Sequence, residues 1–310
     1  MALTLVSTCK HFGGSLSKYT HPSATNQCTM TFNVFLPKAA VENNTKVPVL
    51  YCLGGLTSNE DNFSIKAGAA ARASQYGLAL VFPDSSPRNV IQPFSHLFCD
   101  VGFAEAGADP NVGYSAGFYL NATQAPWNKN WNMYDYIVKE LPQVLASNLP
   151  IDISRSSITG HSMGGHGAMT IFLKNQSAYK SLSAFSPILH PSISHWGLAA
   201  FPKYLGEDRT VWKEHDTIEL LKRYSTEKNL RQDFKVLIDQ GTGDQFLQEP
   251  DRLNTSDLIA LIKEQGLEHL FEIRYQDGYD HGYFFISTFV NDHIDHHAKA
   301  LGLALHEVSR

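Results

Sequence analysis

Five residues constrain this chain more than any others: Gly160-His161-Ser162-Met163-Gly164. A serine with glycine two positions to either side, after Ile158-Thr159 and before a helical run to Lys174, reads as a sharp strand-to-helix turn. Side chains two residues from such a serine would collide, and glycine both removes those Cβ atoms and tolerates the dihedrals. Gly165 and Gly167 let the following helix lie close on a sheet. A helix starting there also points its first amides at any anion that forms over the serine. So short a pattern arises by chance often enough that the rest of the chain has to agree with it.

The rest agrees. Residues 47–53 are an almost unbroken apolar run ending in Gly54-Gly55, as a strand buried on both faces reads. Residues 62–76 are alanine-rich and helical, and 78–83 form a second buried strand, so a β-α-β unit of a parallel sheet is predicted. Further strands are predicted at 155–159, 182–186, 234–239 and 270–275. Helices are predicted at 131–148, kinked at Pro142, and at 164–174, 251–265 and 283–303. Upstream, residues 3–36 read as strands, with 29–36 alternating as an antiparallel strand with one wet face does. Residues 84–130 are irregular and rich in Gly, Pro and Asn, while their aromatic content argues for order. With no linker, repeat or low-complexity segment, residues 1–310 are expected to form one α/β domain. Its central sheet should be mostly parallel, with antiparallel N-terminal strands and helices on both faces.

Composition excludes some partners. A net charge of −5, from 25 basic and 30 acidic residues with no basic run, argues against nucleic acid or an anionic membrane. No apolar stretch is long enough to span a bilayer, the first residues lack the pattern of a secretory leader, and the last four are not a peroxisomal address. Cys9, Cys28, Cys52 and Cys99 are scattered and read as free thiols. A cytoplasmic protein is expected, in which the glycosylation triplets at Asn43, Asn121 and Asn254 carry no meaning.

A serine hydroxyl is a poor nucleophile until a base takes its proton, and after a turn of this kind the chain order is Ser, acid, His. There are 14 histidines. His161 and His166 lie too near Ser162 in sequence to reach back to it. His293, His296 and His297 are expected on a solvated face or at the end of the last helix rather than at a metal. His281, in Gly278-Tyr279-Asp280-His281-Gly282, follows the last strand, where a loop would carry it over the sheet's C-terminal edge. Asp244, in Gly241-Thr242-Gly243-Asp244, follows the strand before that, the place for a carboxylate that orients the imidazole. Asp239 is the rival, but its place inside the strand better fits stabilising the turn. Two amides should receive the oxyanion: that of Met163, next after the serine, and that of Leu56 in Gly54-Gly55-Leu56-Thr57. The bland alternative is that these glycines only end a strand.

Several runs occur in a telling order: Phe12-Gly13-Gly14, Y-C-L-G-G-L-T-S-N-E-D-N-F at 51–63, Gly117-Phe118-Tyr119, G-H-S-M-G-G-H-G at 160–167, Trp196-Gly197, I-D-Q-G-T-G-D-Q-F-L at 238–247, and 278–283. In that order, over essentially the whole chain, they resemble the S-formylglutathione hydrolase (esterase D) family, of the α/β-hydrolase fold. The resemblance implies a serine esterase that hydrolyses the thioester S-formylglutathione to formate and glutathione, a step in formaldehyde detoxification, through a formyl-enzyme. It carries the triad onto Ser162, Asp244 and His281 and the oxyanion amides onto Leu56 and Met163. It also implies a homodimer that needs no cofactor and no metal. Trp196 and Ser58 are the expected substrate contacts, with residues between 84 and 130 shaping the pocket. Ser58 stands where the family usually has cysteine, which removes the thiol that would react there. Residues 85–112 also look different from the usual pattern. A broad short-chain carboxylesterase would use the same triad, and a binding module of this fold would lack one of its members.

Overall fold

Residues 2–88 and 111–306 are described by the computed structural model, and within them the apolar runs of the sequence become strands of one nine-stranded sheet. The strands are β1 (Thr4–His11), β2 (Gly14–Ser23), β3 (Cys28–Leu36), β4 (Val47–Leu53), β5 (Ala79–Pro83), β6 (Ile151–His161), β7 (Tyr179–Phe185), β8 (Val236–Gly241) and β9 (Phe271–Gln276). Their order across the sheet is β1-β2-β3-β5-β4-β6-β7-β8-β9. β1 to β3 pair antiparallel with one another, as does β3 with β5, and every pair from β5 onward is parallel. This is the mostly parallel sheet with an antiparallel start that the sequence predicts.

Side chains of a strand point alternately to the two faces, and here each face has its own core. Val49, Tyr51 and Leu53 of β4 join the core that holds the helix Met163–Lys174, while Leu50 and Cys52 join the one that holds Ala69–Tyr76 and Tyr283–Ala300. Helices therefore cover both faces. From β4 the chain winds to β5 on one side and returns to β6 on the other. Where winding reverses in this way, a crevice opens beyond the carboxyl ends of the strands. Leu53 is paired with Gly160 across that boundary, so Gly54-Gly55 and Ser162 leave the sheet as neighbours.

Several boundaries differ from expectation for local reasons. The helix expected at 62–76 is two, Glu60–Lys66 and Ala69–Tyr76, because Gly68 turns left-handed (φ 74°) between them. The helix expected at 131–148 contains a π-helical segment, Tyr136–Glu140, that opens directly before Pro142. Proline cannot donate to the turn behind it, and the turn behind it is the widened one. The helix expected from 251 begins only at Thr255, since Asp251 and Asn254 both have positive φ.

The last helix, Tyr283–Ala300, corrects the expectation of a solvated histidine face. His293 and His297 are buried. His293 bonds Ser183 Oγ (2.8 Å) and Asp239 Oδ2 (3.1 Å), and His297 bridges the Ser181 and Ser183 hydroxyls at 2.8 Å each. Half-buried His296 meets the Leu182 carbonyl. Among the described residues no helix is long and apolar enough to cross a membrane. Cys9, Cys28 and Cys52 are free thiols. Residues 89–110, with Cys99 and most of the stretch expected to rim the pocket, and residues 307–310 lie outside the described residues.

Candidate active site

Ser162 sits where β6 becomes a helix, with φ 57° and ψ −116°. Three backbone bonds hold it there. Its N–H donates to Phe185 O (2.9 Å), and its carbonyl accepts from His166 N (2.9 Å) and Ile188 N (3.3 Å). The flanking glycines are sterically required: a Cβ on Gly160 would lie 2.1 Å from Gly164 O, and one on Gly164 would lie 2.1 Å from Leu53 O.

Asp244 and His281 come from the loops after β8 and β9, and those loops interlock. A Cβ on Gly241 would lie 2.1 Å from Tyr279 O. Gly243 N donates to Tyr279 O (2.9 Å), and Gly278 N to Thr242 Oγ1 (2.8 Å). The result is a 2.7 Å hydrogen bond from His281 Nδ1 to Asp244 Oδ2. Asp244 has no exposed surface, and it accepts two further bonds, from Phe246 N (2.9 Å) and Gln240 Nε2 (3.0 Å). Burial alone would raise its pKa, but the bonds and charge of His281, with the Phe246 and Gln240 donors, outweigh it and leave the carboxyl below its ordinary value. A carboxylate that only accepts fixes the proton on Nδ1 and leaves Nε2 as the basic nitrogen. Among the described residues no hydrogen bond joins His281 Nε2 to the Ser162 hydroxyl.

The rival carboxylate is fully engaged elsewhere. Asp239, also without exposed surface, accepts from Arg274 Nε (2.7 Å) and Nη2 (2.6 Å), Gln276 Nε2 (3.0 Å) and His293 Nε2 (3.1 Å). Burial is again the largest single influence on its pKa, and these partners override it downward.

The turn after β4 faces the serine. A Cβ on Gly55 would lie 3.2 Å from Ser162 Cβ. Thr57 has φ 65°, and its N–H donates to Ser115 O at 3.2 Å. Among the described residues the Leu56 N–H meets no acceptor. Met163 opens the helix, so its N–H has no intrahelical acceptor either. Both sequence-predicted amides are thus unspent.

Supports for this turn escape a reading of the sequence. Tyr119 OH donates to Gly54 O (2.8 Å), and the Tyr119 ring fills the space beside Gly167. Arg88 grips buried Asp84 through two nitrogens (2.5 and 2.9 Å), and from Nη2 also donates to Ser115 Oγ and Ser58 O. The only sequence signal for Tyr119 is its place in a family run; nothing marks Arg88. His161 packs its ring 4.6 Å from that of His281, and burial holds its pKa near 3.

Trp196 and Ser58, the two expected substrate contacts, are both buried. Trp196 is 7% exposed, between the Arg252 guanidinium (5.2 Å) and Phe246 (5.0 Å), and Phe246 in turn stands edge-on to His281 at 4.9 Å. Ser58 is buried beside the Tyr283 phenol. Among the described residues no group of acidic, histidine or cysteine side chains is arranged to hold a metal ion.

Known proteins agree with this architecture. The family model described as a putative esterase matches residues 23–296. An S-formylglutathione hydrolase of Arabidopsis thaliana is 46% identical over 97% of this chain and 99% of its own length. That of Bos taurus is 44% identical with the same coverage. The solved structure of an S-formylglutathione hydrolase from Agrobacterium tumefaciens superposes with a TM-score of 0.84 at 40% identity, over 96% of this chain and 99% of that one. A fluorophosphonate-binding serine hydrolase of Staphylococcus aureus, FphF, shares the fold alone, at 19% identity and a TM-score of 0.68. A strained serine turn, an interlocked Asp-His pair and near-complete coverage at this identity have one consequence: the chain belongs to the S-formylglutathione hydrolase family of α/β-hydrolases.

Proposed function

We propose that this chain hydrolyses S-formylglutathione to formate and glutathione, with Ser162 as nucleophile, His281 as general base and acid, and Asp244 as the carboxylate that orients His281. The observation that carries this reading is the 2.7 Å bond between Asp244 and His281 Nδ1, set beside a serine whose turn abuts Gly55. His281 Nε2 takes the Ser162 proton as Oγ bonds the formyl carbon, and the oxyanion is received by the amides of Leu56 and Met163. The carbon–sulfur bond then breaks and the proton passes from His281 to the glutathione sulfur. Water attacks the formyl ester, gives a proton to His281, and formate leaves as that proton returns to Ser162 Oγ. No step calls for a metal or a cofactor.

The acyl group is a single carbon, so selectivity rests on a tight pocket. Trp196, through Phe246, and Ser58, beside Tyr283, bound it from two sides in this reading. We place the reaction in the cytoplasm, in keeping with the free thiols at Cys9, Cys28 and Cys52, and in a homodimer of one-domain chains, the assembly the resemblance implies.

The test is kcat/KM for S-formylglutathione beside S-acetylglutathione and p-nitrophenyl acetate, with Ser162→Ala as the blank. We expect the formyl thioester to lead by several orders of magnitude and Ser162→Ala to form no acyl-enzyme. Similar values for all three substrates would make this a broad esterase. Near-normal turnover by Ser162→Ala would remove the serine from the mechanism altogether.

A further inference from the structure

The interior side chain next to the Asp239 cluster has a use of its own. β8 carries two successive buried polar residues, Asp239 and Gln240, both with no exposed surface. Alternation sends them to opposite faces. Asp239 meets the last helix through His293, whereas Gln240 turns toward Thr255, the first residue of the helix Thr255–Glu264. Thr255 Oγ1 donates to Gln240 Oε1 (3.4 Å), and Gln240 Nε2 donates to Gly241 O (3.2 Å) and to Asp244 Oδ2 (3.0 Å). The amide is therefore oriented by what surrounds it: reversed, it would set its oxygen against the carboxylate.

Asp244 Oδ2 is also the oxygen that accepts from His281 Nδ1, while Oδ1 is held by Phe246 N. One donor on each oxygen, apart from the histidine, fixes the rotation of the carboxylate plane. Take away the Gln240 donor and the carboxylate is free to pivot about its bond to Phe246, carrying Oδ2 away from the imidazole. We infer that Gln240 is a positioning residue for catalysis, clamping Asp244 from the rigid sheet so that Oδ2 stays aimed at His281. This rests on the triad proposed above. A strand is a better anchor than the loop that bears Asp244, because its backbone is fixed by pairing, with β7 up to Asp239 and with β9 through Gln240 itself, opposite Tyr275.

The test uses the full chain with Gln240→Met, which keeps the length and removes the donor, and Gln240→Glu, which keeps an acceptor for Thr255 and places an acceptor against Asp244. Three readouts are taken: kcat and KM on S-formylglutathione and p-nitrophenyl acetate, and the far-downfield proton resonance of the His281 Nδ1–H. We expect kcat to fall roughly 10- to 100-fold on both substrates alike, with KM held within about twofold, and the resonance to shift or broaden. The Glu variant should be hit harder than the Met variant. Folded variants with unchanged kcat and an unmoved resonance would overturn the role, even if their melting temperatures drop, since that pattern is mere packing. If the Met variant does not fold, the Glu variant decides by the same readouts. Asp244→Asn separates the two claims. Loss of activity and resonance there, with neither lost in the Gln240 variants, removes only the role of Gln240; full activity in Asp244→Asn removes the triad reading and the role together.

Discussion

Ser162 holds a backbone conformation that L-residues seldom adopt, at an expense of about 1–3 kcal/mol, and the surrounding bonds to Phe185, His166 and Ile188 keep it there. The closest contacts in the turn are made by its glycines, which gives a sharp prediction for Gly164→Ala. The added methyl would lie 2.1 Å from Leu53 O and 2.6 Å from Gly54 O, so the helix must lift away from the end of β4. That lift separates Ser162 from the Leu56 amide, and a displacement of about 1 Å at reacting groups is enough to lower the rate by about 10²-fold. We expect kcat to fall by at least that factor and stability by about 1–3 kcal/mol, read by ester hydrolysis and by thermal melting. Wild-type kcat in a folded Gly164→Ala would refute the close approach. Residues of this kind are legible in a sequence because the constraint is local: Gly160, Ser162 and Gly164 sit within one turn. Asp244 and His281 are legible for a related reason, each following a strand that its apolar run announces. Tyr119, Arg88 and Gln240 are not. Their partners lie at Gly54, Asp84, Ser58, Ser115 and Asp244, and only the folded chain shows which side chain turns toward which loop.

Among elements, the last helix shows how a polar face can be an interior one. Ile286, Val290, His293, Ile294 and His297 recur at helical spacing on its buried side, and the histidines there dock onto the serines of β7 and onto Asp239 of β8. The periodicity was present in the sequence, but histidine reads as polar unless its partners are known, and those partners are Ser181 and Ser183 a hundred residues earlier. Strand order is hidden for the same reason: the chain announces β4 and β5 as consecutive buried strands, while only pairing reveals that β6 lies on the other side of β4. The cluster around Asp239 predicts a separation of stability from catalysis. Arg274→Met would leave the buried Asp239 carboxylate without its two shortest bonds, which costs about 3–5 kcal/mol when one partner of a buried pair is removed. We expect the urea midpoint to fall accordingly while kcat of the folded fraction stays near wild type, because Asp244 keeps its own three donors. The reverse result, intact stability with lost kcat, would make Asp239 the orienting acid.

Across the whole molecule, buried histidines set the response to acid. His161, His166 and His297 are buried, and burial lowers the pKa of each: the first two to about 3, the third well below its ordinary value. Unfolding exposes them and restores a pKa near 6.5, so between those limits the unfolded chain binds more protons than the folded one. Stability therefore rises with pH through this window and is lost as pH falls below about 6.5, by up to roughly 1.4 kcal/mol per pH unit for each histidine. Two buried acids work the other way. Asp84, pushed up to about 6 by burial despite Arg88, and Asp216, also raised by burial, take up protons in the folded state before they do so in the unfolded one. Asp84 offsets part of the loss between about pH 6 and its ordinary range, Asp216 works in the same direction above its own ordinary range, and below that range Asp239 and Asp244, both held down by their partners, add to the loss. His215 and His296 are lowered by burial in the same way, to about 3 and about 4, so the histidines outnumber the two acids. The fold is predicted to weaken on mild acidification, while Asp244, held down by its partners, still carries its charge. Urea denaturation at pH ~7.5 and pH ~5.5 measures this directly, and we expect a lower midpoint at the acid value with an unchanged slope. A midpoint that stays level or rises would mean that these histidines gain protons without unfolding, and that the interior around Ser162 is far wetter than its packing implies.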